Sequence, residues 1–222
     1  MLSRTMSEMS EAKSTAIPIY ETLKDEIVTS VLLPGEALRQ EEIAKRFGVS
    51  KIPVREALLK LEIDGFVLFR KNKGATVREM SSKEVLNLMD IRIALECKAL
   101  ELSVPNMIPS DFARAKDVLD DYSAQSDSKS WSEHNIAFHQ TLYEPCDNPS
   151  LLQMIADVRA RLGPFTNMLV SEASGLERPH QEHQDILAAC EAGKTEEAVE
   201  LLKQHIETTK KVTAAYMRRG SR

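Results

Sequence analysis

Apolar residues return at Ile19, Leu23, Ile27 and Val31, a helical spacing that runs across residues 17–32 until Pro34-Gly35 breaks it. A shorter stretch, QEEIAKRF, sets Ile43, Ala44 and Phe47 on one face. Gly48 is placed to end that helix in a left-handed conformation, and Ser50 to cap the next one. The next helix has Pro53 at its third position, where a missing N–H costs nothing. Val54, Leu58 and Leu61 give it an apolar stripe before Asp64-Gly65 stops it. The period then changes. FVLFR and ATVRE are β-rich, and KNKG between them reads as a hairpin turn.

From Ser81 onward the strand signal disappears and helical spacing returns in six segments, roughly 82–103, 110–124, 131–144, 149–170, 175–191 and 195–217. SVPNMIPSD, SAQSDSKS, EPCDNPS and EAGKT supply the loops between them. The predicted fold is mainly α, with an N-terminal winged helix-turn-helix and a C-terminal all-α helical bundle. Residues 1–16 are polar and read as a loose, disordered tail, residues 17–79 as the winged unit and residues 80–222 as the bundle.

Charge sharpens this division. The net charge is −5, yet residues 45–78 hold nine cations and three anions, while residues 81–222 hold 16 cations and 22 anions. A basic patch on an acidic body suits nucleic-acid binding by one part only. Cys97, Cys146 and Cys190 are odd in number, far apart and without a CxxC pair, which points to a reducing compartment. With no apolar leader and no membrane-length apolar run, the expected location is the cytoplasm, with no membrane partner.

In a helix-turn-helix the second helix enters the major groove and its N-terminal residues face base edges. Val54, Leu58 and Leu61 would dock that helix inward, leaving Lys51, Ile52 and Arg55 outward. Arg55 can fork onto guanine O6 and N7, while Lys51 can do so less rigidly or grip phosphate. Arg70, Lys71 and Lys73 on the hairpin would reach the backbone or minor groove. The stretch LLPGEALRQEEIAKRFGVSKIPVREALLKLEIDGFV, followed by NKGATV, resembles the DNA-binding domain of GntR-type bacterial transcription regulators. The resemblance implies operator contacts by Ser50, Lys51 and Arg55, with the wing from Lys71 through Asn72 and Lys73 to Gly74 in the minor groove. Arg39 and Ile52 complete the candidate DNA-binding set. Lys51 stands where this family usually has arginine, and Ile52 where a small polar residue is common; an isoleucine favours apolar contact with a thymine methyl.

All five histidines lie in the helical half. His139, His183 and His205 fall on apolar faces of three separate predicted helices, and a bundle builds metal sites from such inward side chains. Taken singly, each reads first as a hydrogen-bonded core residue. Together they form a candidate site for a divalent transition metal, Zn or Ni first among them. The segments IRIALE, NIAFHQTLYEPCDNPSLLQ and HQEHQDILAACEAGKTEEAVELLKQHI resemble the FCD ligand-binding domain of FadR-like regulators. That resemblance implies metal ligands at Asn135, His139, His183 and His205, with an organic acid bound beside the ion. Asn135 occupies a position where several metal-binding members have aspartate. Arg92 is the first candidate partner for a carboxylate effector, with Arg159 and Arg161 as alternatives, and His134 and His180 are expected beside the site or on the surface.

The expected function is a ligand-responsive DNA-binding transcriptional regulator, a repressor by resemblance, acting as a homodimer on double-stranded operator DNA. A regulator that senses the metal ion itself is one alternative, and an apo bundle whose histidines only bond internally is another. A metallohydrolase is disfavoured, because the chain lacks HExxH and places no glutamate as an obvious base.

Overall fold

The computed structural model describes residues 6–70, 74–123, 128–172 and 177–220. Two compact units form, Met1–Met80 and Ser81–Arg222.

In the first unit, α1 (Met6–Val28) packs across α3 (Lys51–Ile63), with α2 (Gln40–Phe47) against α3 and a small antiparallel sheet alongside. Ile19, Leu23 and Ile27 of α1 meet Val54, Leu58 and Leu61 of α3 in a closed core that Phe66 and Val67 complete. Gly48 adopts the left-handed conformation (φ 65°) and returns its N–H to α2 carbonyls, which fixes the tight turn before α3. Ser50 sits at the N-cap of α3, but its hydroxyl makes no capping bond. Tyr20 donates its hydroxyl to the Asp64 carboxylate at 2.6 Å, tying α1 to the end of α3.

The sheet has the order β1 (Ala37–Leu38), β3 (Gly74–Val77), β2 (Val67–Arg70), with Arg70 opposite Gly74 across the hairpin. Glu62 of α3 accepts the backbone N–H of Phe69 at 2.9 Å, so helix and hairpin are pinned together.

Two expectations change here. The described part of α1, Met6–Val28, includes residues of the stretch read as a tail over residues 1–16; Ala16 is buried and extends the Ile19–Leu23 stripe by a turn. At the other end, Val31 is exposed and does not continue the stripe, because Ser30 turns left-handed (φ 63°) just past the helix. The two-residue β1 has no counterpart in the sequence reading, since two residues are too few to show an alternation.

The second unit contains, among the described residues, α4 (Ser82–Ser103), α5 (Pro109–Ser123), α6 (Ser128–Tyr143), α7 (Pro149–Glu172), α8 (Glu177–Glu191) and α9 (Thr195–Gly220). Short 3-10 turns follow α4 and α6 at Val104–Asn106 and Glu144–Cys146. A capping box between Ser81 and Glu84 starts α4, satisfying donors at both positions. The helix then runs through the middle of the bundle, packed on α6, α7 and α9. Met89, Ala99 and Leu100 from α4 join Phe138, Leu142, Leu162, Ile186, Leu202 and Ile206 in the core. Among the described residues no helix is long and apolar enough to cross a membrane.

Candidate functional site

The polar groups buried in the helical unit are not scattered. His139 on α6, His183 on α8 and His205 on α9 are each buried, and one ring nitrogen from each lies within 4.8 Å of the others. His183 Nε2 and His205 Nε2 are 3.3 Å apart. His139 Nε2 is buried and makes no hydrogen bond. A buried polar atom left without a partner in this way is costly, and it asks for a ligand.

The outer nitrogens of His139 and His205 are held by the protein. His139 Nδ1 lies 3.1 Å from the Tyr143 hydroxyl one turn further along α6, and that hydroxyl donates to Glu96 Oε2 at 2.7 Å. His205 Nδ1 lies 2.7 Å from Glu182 Oε2, on the residue just before His183. Burial, with Arg159 and the other histidines close by, holds His139 well below the ordinary imidazole value. Burial and His205 do the same for His183. Both rings are therefore neutral near pH 7, the form that ligates metals.

Glu96 is the hub of this polar core. Burial alone would raise its pKa, but Arg92 and Arg159 outweigh that and hold it at about 2. Arg92 Nε donates to Glu96 Oε1 at 2.7 Å, and Arg159 Nη1 lies 3.6 Å from the same oxygen without making a hydrogen bond. One carboxylate thus faces two guanidiniums, which leaves a positive charge beside the histidines.

The residues present suit a divalent transition ion. Tetrahedral coordination at zinc–nitrogen distances of 2.0–2.1 Å places ligand atoms about 3.3 Å apart, the separation seen between His183 and His205. The structure brings three of the four expected ligands together. The fourth, Asn135, is half-buried on α6 one turn before His139. His134 and His180 are half-buried, and His180 Nε2 lies 3.0 Å from the side-chain amide nitrogen of Gln184.

Of the three candidate arginines, Arg92 and Arg159 reach this core, whereas Arg161 is exposed. Two helical positions rotate a side chain by roughly 200°, so Arg159 and Arg161 take opposite faces of α7. The Arg92 side chain expected to meet an effector already has Glu96 as a partner. Glu96, Tyr143 and Glu182 were not singled out from the sequence. For Glu96 and Tyr143 the signal was the four-residue spacing from Arg92 and from His139; Glu182 meets His205 from 23 residues away, which no local spacing shows.

On the winged unit, Ser50, Lys51, Ile52 and Arg55 are all exposed at the start of α3, as the inward stripe requires. Lys51 pairs with Glu41, and Arg39 with Glu42 at 2.9 Å, so the acidic first turn of α2 holds both cations. Among the described residues Arg55 has no ion-pair partner. Gly74 is exposed in a left-handed conformation (φ 73°). Lys71, Asn72 and Lys73 lie outside the described residues.

Comparison with known proteins agrees with both units. Residues 87–208 match the FCD domain, and residues 15–77 match the gntR family of bacterial regulatory proteins. The chain is similar to the HTH-type transcriptional repressor GlaR of Escherichia coli (strain K12), 29% identical over 205 residues that cover 87% of this chain and 93% of GlaR. It is likewise 29% identical to the HTH-type transcriptional regulator McbR of the same organism, over 203 residues covering 87% of this chain and 91% of McbR. The solved structure of E. coli McbR/YncC has the same fold, with a TM-score of 0.80 at 24% identity, covering 94% of this chain and 99% of that one.

Proposed function

This chain belongs to the gntR family of bacterial regulatory proteins and carries its FCD domain, and from that premise we propose that it is a transcriptional repressor whose helical unit senses a small organic acid at a metal centre. Its relatives are DNA-binding transcription regulators, not enzymes.

The observation that carries the sensing part is the convergence of three buried imidazoles beside a guanidinium pair with one carboxylate between them. His139, His183 and His205 would hold a divalent transition ion, with Asn135 as an oxygen donor one turn from His139. Such an ion supplies Lewis-acid attraction for an oxygen anion. Arg159 Nη1, buried with no hydrogen bond of its own, suits the carboxylate of the incoming acid, and Arg92 lies across Glu96 from it.

Two protomers would then present two α3 helices to a palindromic operator, with Arg55, Lys51 and Ser50 at base edges and backbone. The acid can shift operator binding only by its differential affinity for two arrangements of the protein, typically about 1–3 kcal/mol. A second reading has support from Glu96. Because it already neutralises one guanidinium, the ion alone could be the signal, with no acid required.

Elemental analysis of tag-free protein prepared without chelator, wild type beside His183→Ala, tests the metal part. About one equivalent of transition metal per chain is expected in the wild type and none in the variant. No metal in either, even after reconstitution with zinc, overturns it. Operator titrations with a panel of carboxylic acids test the remainder. Metal without any acid response leaves the ion-sensing reading standing.

A further inference from the structure

Tyr143 has one proton to give. Glu96, fully buried and ionised, can only accept, so the hydroxyl proton points to Glu96 Oε2 at 2.7 Å. The Tyr143 oxygen is then left as an acceptor, and among the described residues the group placed to donate to it, across 3.1 Å, is His139 Nδ1. A neutral imidazole carries one N–H. His139 must therefore bear its proton on Nδ1 and expose a bare lone pair at the buried Nε2.

The same logic applies on the other side of the centre. The Glu182 carboxylate can only accept from His205 Nδ1 across 2.7 Å, so in the neutral ring, the form that ligates metals, His205 Nε2 is also bare. Facing it at 3.3 Å is His183 Nε2, which in the metal-free protein has to be the donor.

We propose that Tyr143 and Glu182 are positioning residues that fix the tautomers of His139 and His205, so that both present Nε2 to the centre before any ion arrives. His183 alone holds its proton on the inward nitrogen. Filling the site requires one tautomer change, in which the His183 proton passes from Nε2 to Nδ1 of the same ring with no net proton release. The proposal builds on the reading of the triad as a metal centre. Outer partners of this kind set the orientation and basicity of ligating histidines. Here one of them, Glu182, sits next in sequence to a ligand on α8 and serves the ligand on α9.

Long-range nitrogen–proton NMR of the imidazoles, on the full chain stripped of metal, reads the tautomers directly. His139 and His205 are expected as Nδ1–H and His183 as Nε2–H, with His183 alone converting when zinc is added. Tyr143→Phe should release the His139 tautomer and leave His205 unchanged; Glu182→Ala should do the reverse, and Glu182→Gln, which keeps an acceptor oxygen, should restore it. Zinc affinity, read by chelator competition, should fall about 10–100-fold in Tyr143→Phe and in Glu182→Ala. An Nε2–H form of His139 or His205 in the metal-free wild type overturns the proposal, as do tautomers that neither variant moves. Failure of the wild type to take zinc would overturn the metal reading instead, and the metal-free spectra would still decide the tautomers.

Discussion

Arg92 and Glu96, one turn apart on α4, join through a 2.7 Å hydrogen bond that lies out of reach of solvent. With Arg159 on the far side, Glu96 is a counter-charge that the helical unit cannot easily lose. Glu96→Ala leaves two buried guanidiniums without a carboxylate. A loss of about 3–5 kcal/mol is expected, seen as a lower denaturation midpoint in urea with an unchanged slope. A variant as stable as the wild type would show that Glu96 is dispensable to the core.

Acid should weaken the helical unit in two stages. His139 and His183 are held below the ordinary imidazole value of about 6.5. The unfolded chain therefore takes up protons at these positions before the folded one does, and stability falls as the pH drops below about 6.5. Glu96, held at about 2 against an ordinary 4.5, contributes stability that is complete above pH 4.5 and is lost as the pH falls toward 2. Thermal melts from pH 8 to 3 should show both stages, and Glu96→Gln should lack the second. A flat melting temperature between pH 7 and 5 would contradict the histidine assignment.

At the proposed reading head, Arg55→Ala should weaken operator binding and relax the sequence preference at one base pair while the fold persists, because Arg55 is exposed. The expected cost is about 1–3 kcal/mol for its base pair alone. Footprinting at constant salt checks this, and protection of the same sequence at an unchanged protein concentration would remove Arg55 from the base-reading set.

The two α7 arginines offer an internal control. If the helical unit senses an organic acid as proposed, Arg159→Ala should eliminate the response of operator binding to it. Arg161→Ala, altering an exposed side chain two residues away, should leave that response within about twofold of wild type. Equal effects from the two substitutions would separate the acid site from the Glu96 core.

Much of the site was readable from the chain because its chemistry is periodic. His139, His183 and His205 each continue an apolar helical stripe, so their burial followed from spacing, and the family resemblance joined them. Glu96 and Tyr143 were harder to see. A glutamate on a helix is ordinarily a solvent-facing residue, and only the packing of α4 inside the bundle reverses that. Arg161 was grouped with Arg159 by proximity in sequence, which a helix converts into opposite directions. Val31 fitted its stripe by number, but the chain leaves the helix at Val28. The wing pairing was legible from FVLFR and ATVRE, whereas its third strand, Ala37–Leu38, exists only because β3 offers it an edge.

The Glu41–Lys51 and Glu42–Arg39 pairs bear on how such a protein finds its site on a chromosome. Where Lys51 and Arg39 meet DNA, each exchanges an internal carboxylate for a phosphate, and less is gained than by a bare cation. Fewer condensed ions are released, so the salt dependence of binding is shallower than a count of the head's lysines and arginines suggests. On the proposed reading, random sequence is then held briefly, and a long dwell time is reserved for the base pairs assigned to Arg55.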